Sequence, residues 1–87
     1  MLKVSVPAAA RMANLLTAKS DNAVLRIVRR DDRLRLQTGL LRPGDETFAH
    51  EGRVVLAIDA RIAKSLSLRK LDLRETSTGP RLRLKTS

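Results

Sequence analysis

The stretch Arg33-Leu34-Arg35-Leu36-Gln37-Thr38 alternates polar and apolar residues with strict period two, and Arg81-Leu82-Arg83-Leu84-Lys85 repeats the pattern later in the 87-residue chain. Successive side chains of a strand point to opposite sheet faces, so this pattern predicts two half-buried strands with leucines inward and basic residues outward. A slip of one residue would exchange the faces, which pins the register of each strand. A fold that accepts both stretches needs sheet with one wet face. Its core must be aliphatic, because Phe48 is the only aromatic residue.

The remaining elements follow from local chemistry. Lys3 to Val6 alternates as a short strand would, and Pro7 suits the first position of a helix, where its missing N–H costs nothing. Across Ala8 to Lys19, Ala9, Met12, Ala13 and Leu16 recur at helical spacing. Ser20-Asp21-Asn22 is a polar break, and Val24-Leu25-Arg26-Ile27-Val28-Arg29 is a β-branched strand joined to the Arg33 strand by a turn at Arg30-Asp31-Asp32. Arg42-Pro43-Gly44-Asp45 has the proline and glycine of a type II turn. Thr47–His50 and Arg53–Ile58 flank the hairpin turn Glu51-Gly52, and Arg53–Ile58, apolar on both faces, is predicted to be central. Asp59 is an N-cap for a short helix carrying Ile62, Ala63 and Leu66. Leu71 and Leu73 alternate with Asp72 and Arg74 in a further strand, and Thr76-Ser77-Thr78-Gly79-Pro80 turns the chain into the last.

No linker, repeat or low-complexity tract interrupts this order, so residues 1–87 are expected to form one domain. The fold class is α+β: a single compact β-rich domain, with about seven short, mostly antiparallel strands in a twisted sheet or sandwich and two helices. The sequence has no cysteine, which removes disulfides and thiolate metal sites and leaves a cytoplasmic location as the default expectation. Neither a secretory leader nor a membrane span is indicated.

The order and spacing of several short motifs carry a resemblance. Val4-Ser5-Val6-Pro7-Ala8-Ala9-Ala10-Arg11, Leu25-Arg26-Ile27, Pro43-Gly44-Asp45-Glu46-Thr47-Phe48, Gly52-Arg53-Val54-Val55-Leu56-Ala57-Ile58-Asp59 and the later Leu71-Asp72 pair follow one another as in the A-type iron-sulfur carriers. The chain resembles this HesB-like family from Val4 to about Leu84. The resemblance implies the family's compact β-rich domain. In the carriers one ligand cysteine sits in a glycine-rich loop between the second and third strands and a Cys-Gly-Cys lies in the C-terminal tail. Here the loop is reduced to Arg29-Arg30-Asp31-Asp32, and the sequence ends at Ser87 without such a tail, so no ligand position carries over. The resemblance thus predicts a degenerate member, without metal or cofactor.

Other residues do not restore a site. His50, the single histidine, lies near Asp45, Glu46 and Glu51, but one imidazole with mobile carboxylates holds first-row metals weakly, and a solvated surface residue is expected. Asp31-Asp32 reads as turn chemistry rather than a cation site. No Gly-x-Ser-x-Gly elbow and no glycine-rich phosphate loop is present, so an enzyme is not expected. The formal charge of +9 is the one positive signal. Arg33 and Arg35 share one strand face, Arg81, Arg83 and Lys85 another, and Arg26 and Arg30 align similarly on the strand before Arg33. These seven residues are the candidate anion-binding set, and neighbouring strands would merge their stripes into one plate. The sequence thus predicts a binding or assembly module working through protein contacts, able to associate with itself through exposed strand edges. The alternatives are non-specific nucleic-acid or polyanion binding and a residual iron-sulfur biogenesis role with non-thiolate ligands.

Overall fold

In the computed structural model, which describes residues 2–86, the polypeptide turns from strand to helix at Ser5. β1 (Lys3–Val4) ends there, and the Ser5 hydroxyl accepts a hydrogen bond from the Ala8 N–H at 3.2 Å. An N-cap of this kind supplies an acceptor to a helix terminus that otherwise has none. α1 (Val6–Leu16) therefore starts one residue before the expected Pro7, which lies in its first turn, and ends at Leu16 rather than Lys19. Thr17 closes it, its N–H and hydroxyl both donating to the Asn14 carbonyl at 3.2 and 2.8 Å. Ala8, Ala9, Met12 and Leu16 form its buried stripe.

β2 (Ala23–Arg30) and β3 (Arg33–Leu40) form an antiparallel hairpin paired up to Arg30 and Arg33. β4 (Glu46–His50) and β5 (Arg53–Ile58) form a second, and β6 (Arg69–Thr76) and β7 (Gly79–Thr86) a third. Two parallel pairings combine these units: β2 with β5, giving the order β3-β2-β5-β4, and β1 with β6, giving β1-β6-β7. Between β5 and β6 lies α2 (Ala60–Ser65), capped by the Asp59 carboxylate, which accepts from the Arg61 N–H at 2.9 Å. The seven strands and two helices of the described residues agree with the fold class read from sequence. Met1 and Ser87, the ends of the expected domain, lie outside the described residues.

The core collects where both sheets meet the helices: Met12 and Leu16 of α1, Leu25 and Ile27 of β2, Leu56 and Ile58 of β5, Leu71 of β6 and Leu66 after α2. Val55, Leu56, Ala57 and Ile58 have no exposed surface, as expected of a strand that is interior in its sheet and covered on both faces. Leu34, Leu36, Leu82 and Leu84 pack against this core half-buried, and their basic neighbours in the two alternating stretches are exposed. Burial of aliphatic side chains, at about 25 cal/mol per Å², is the main stabilising term available to a chain with one aromatic ring.

Candidate functional site

The loop that separates β2 from β3 is the first place to look for a ligand, and it is a two-residue turn. Asp31 and Asp32 occupy it with φ of 49° and 62°. Positive φ at both central residues is the geometry that matches strand twist in a tight hairpin, and aspartate tolerates it better than most side chains. Arg29, Arg30, Asp31, Asp32 and Arg33 are all exposed, so the tip presents charged groups to solvent.

His50 is less solvated than the sequence suggested. Glu46, Phe48 and His50 share the less exposed face of β4, and the imidazole is 21 % exposed, 4.0 Å from Glu51. Asp45 is not free to join it, because Asp45 is the partner of Arg26. Among the described residues no three histidine, cysteine, aspartate or glutamate side chains are grouped so as to hold a metal ion.

Arg26 corrects the expected anion-binding set. Its side chain is buried instead of outward, and both guanidinium nitrogens Nη1 and Nη2 donate to the Asp45 carboxylate, the second at 2.9 Å. Nη1 also reaches the Leu40 carbonyl at 3.0 Å, and Asp45 Oδ2 accepts the Arg42 N–H at 2.8 Å. The Arg42–Asp45 turn thus folds back over the β2–β3 sheet face and covers Arg26, which stands among the apolar residues Val24, Leu25, Ile27 and Val28 of β2. The guanidinium bond holds the Asp45 carboxyl below the usual carboxylate range and raises Arg26 in turn.

The other six candidates fall on two separate sheets, so the stripes do not merge into a single plate. Arg30, Arg33 and Arg35 lie together on the outer face of the β2–β3 hairpin, with Arg30 donating to Gln37 at 3.2 Å. Arg81, Arg83 and Lys85 lie on β7, at the edge of the other sheet. Between β3 and β7 runs a groove of about 350 Å³ lined by Leu34, Leu36, Leu82 and Leu84, with Arg35 and Arg83 beside them.

Strand register adds basic residues that the sequence reading did not include. Lys85 lies opposite Lys70, and Lys70 is in register with Lys3 of β1, so three lysines form one row across β1, β6 and β7. Four residues further along, Arg74 lies opposite Arg81. Between these rows Arg83 lies opposite Asp72, the one carboxylate on this face among the described residues. Directly opposite side chains have Cβ atoms about 5 Å apart, and like charges there repel. Asp72 is held in place: Oδ1 accepts from the Ser5 hydroxyl at 2.7 Å and the Leu73 N–H at 2.8 Å, and Oδ2 accepts from Lys85 Nζ at 3.1 Å. The Ser5 bond above all, then Leu73 and Lys85, holds its carboxyl well below the usual range.

No protein-family profile matches this chain, and no curated protein matches it. Among solved structures it is similar to Escherichia coli SufA, involved in biosynthesis of iron-sulfur clusters, with 13 % identity over 98 % of this chain and 84 % of that one and a TM-score of 0.78. It is also similar to IscA in a structure with the 2Fe-2S cluster, with 19 % identity over 99 % of this chain and 85 % of that one and a TM-score of 0.66. The chain therefore has the A-type carrier fold that its motifs implied. Its residues do not fit a thiolate-held cluster: the sequence contains no cysteine, and the β2–β3 connection is a closed two-residue turn with exposed charged side chains.

Proposed function

We propose that this chain is a non-catalytic binding or assembly module, an A-type carrier fold that no longer holds iron or a cluster and that acts through contacts with protein partners. The observation that carries this reading is the β2–β3 connection, where strand pairing continues to Arg30 and Arg33 and leaves only Asp31 and Asp32 in the turn. Carboxylates and arginines at that tip cannot replace soft thiolate ligands. The cysteine-free composition suits a reducing compartment, so we place the protein in the cytoplasm. No described helix is long and apolar enough to cross a membrane. The open edges of β3 and β7 supply a means of self-association.

The test is anaerobic reconstitution with ferrous iron and sulfide followed by desalting. A colourless protein retaining no iron is the expected result. Stable visible absorption with bound iron and sulfide overturns the reading and revives a biogenesis role with non-thiolate ligands.

A second reading is favoured by the cationic rows on β1, β6 and β7. In-register like charges cost free energy in the isolated domain, and a polyanion laid across them relieves that cost while releasing its counterions. Affinity for DNA or RNA that falls steeply with added salt supports this reading, and no binding at low ionic strength removes it.

A further inference from the structure

We propose that the outer face of the β1–β6–β7 sheet is a docking surface for the phosphate backbone of a nucleic-acid duplex, an inference that rests on the polyanion reading and assigns it a place and a ligand class. Charge complementarity locates the surface. Lys3, Lys70 and Lys85 form one row and Arg74 and Arg81 another, with Arg83 between them and Asp72 as the only opposing charge among the described residues. On the other sheet the stripe is shorter, because Arg26 is consumed by Asp45 and the strand opposite Arg35 contributes Val28. From Lys70 to Arg74 the face extends about 13 Å along the strand, enough to meet several phosphates of one duplex backbone.

The choice of duplex over single strand follows from what the face lacks. Single strands gain affinity by stacking bases on aromatic side chains, and the chain's only aromatic residue, Phe48, is packed against the core from β4 on the other sheet. A surface that works by charge alone favours the ligand with the higher charge density, and a duplex carries one charge per roughly 1.7 Å of axis. Contacts to phosphate carry no sequence information directly, so binding is expected to be independent of sequence.

The experiment uses the full chain and a fluorescent DNA duplex of about 20 base pairs, titrated at several salt concentrations from about 50 mM upward. Expected are a log–log salt slope of about −3 or steeper, tighter binding than to the matching single strand, and weak competition by poly-glutamate at equal charge. The double variant Arg74→Glu with Arg81→Glu should lose affinity at least tenfold, while Arg33→Glu with Arg35→Glu stays within twofold of the parent. Asp72→Asn removes the opposing carboxylate and should tighten binding two- to threefold, a gain that damage to the fold does not produce.

Each contrary result has its own meaning. Loss on the β3 variant with retention on the β6–β7 variant overturns the assigned face and leaves polyanion binding standing. Equal affinity for single strands or equal competition by poly-glutamate overturns the duplex assignment, and weaker binding by Asp72→Asn overturns the assigned face. No binding at low salt overturns both the inference and the reading beneath it.

Discussion

Arg26 and Asp45 form a buried bidentate ion pair that ties the Arg42–Asp45 turn to the middle of β2, their side chains being 5 % and 4 % exposed. The guanidinium satisfies a backbone carbonyl at Leu40 and the carboxylate a backbone N–H at Arg42, so the pair also completes the hydrogen bonding of the chain leaving β3. Such a pair repays its desolvation only when its remaining hydrogen-bonding groups find partners.

Removing one partner leaves the other buried and unpaired. Asp45→Asn or Arg26→Met should each destabilise the domain by about 3 kcal/mol, whereas Arg26→Met combined with Asp45→Leu should cost clearly less than the sum. Urea unfolding followed by circular dichroism reads these differences. Additive losses would show that the two side chains are not coupled.

Gly39 lies beside this pair on β3, and a Cβ placed there would stand 2.9 Å from Arg26 Cδ. Its backbone is not left-handed, so Gly39→Ala meets a steric conflict and no conformational one. In the parent the substitution should cost about 1 to 2 kcal/mol, because Arg26 is clamped and cannot give way. In the Arg26→Met, Asp45→Leu background the cost should vanish, since a flexible thioether yields the space. Equal cost in both backgrounds would place the conflict elsewhere.

The pH dependence follows from two carboxyls held below their ordinary range, Asp45 by Arg26 and Asp72 chiefly by the Ser5 hydroxyl. A depressed carboxyl contributes stability that is fully present above its unfolded-state value near about 4 and is lost as pH falls through the folded-state value. The urea midpoint should therefore hold steady from neutrality to about pH 5 and decline below about pH 4. The slope should be shallower in Asp45→Asn and shallower again with Asp72→Asn added. An unchanged slope in the double variant would assign acid lability to other groups.

How much of this was legible in the sequence depends on how far apart the interacting residues lie. Period-two alternation located β3 and β7, and local chemistry located the Arg42–Asp45 turn and the Asp59 cap, since each of these acts within a few residues. Ser5 was hidden because Lys3 to Val6 also alternates. A serine two positions before Pro7 was the available cue for a helix start, and its hydroxyl serves both Ala8 and Asp72. Arg26 was misread because alternation sorts side chains by face and says nothing of what covers the face. Its same-face neighbours Val24 and Val28 are apolar, where those of Arg35 and Arg83 are polar or basic, and that was the signal that a partner would be needed. The row of Lys3, Lys70 and Lys85 was beyond reach, for it depends on the parallel pairing of β1 with β6 across most of the chain.

The β2–β3 turn allows a last prediction about why this connection stays short. Asp31 and Asp32 both hold positive φ, a conformation that costs an L-residue with a Cβ but costs glycine almost nothing. Asp32→Gly should therefore stabilise the domain by about 0.5 to 1 kcal/mol, because Asp-Gly is a favoured pair for a two-residue hairpin. The mirror experiment lengthens the loop by inserting Gly-Gly between Asp31 and Asp32. Closure entropy grows slowly with length, so the insertion should cost only about 1 kcal/mol, with the rest of the β2–β3 ladder intact by hydrogen exchange. That result would show that the β2–β3 ladder does not depend on the tight turn for its register. Loss of the whole ladder would instead show that the tight turn is what holds Arg30 opposite Arg33 and β3 in register.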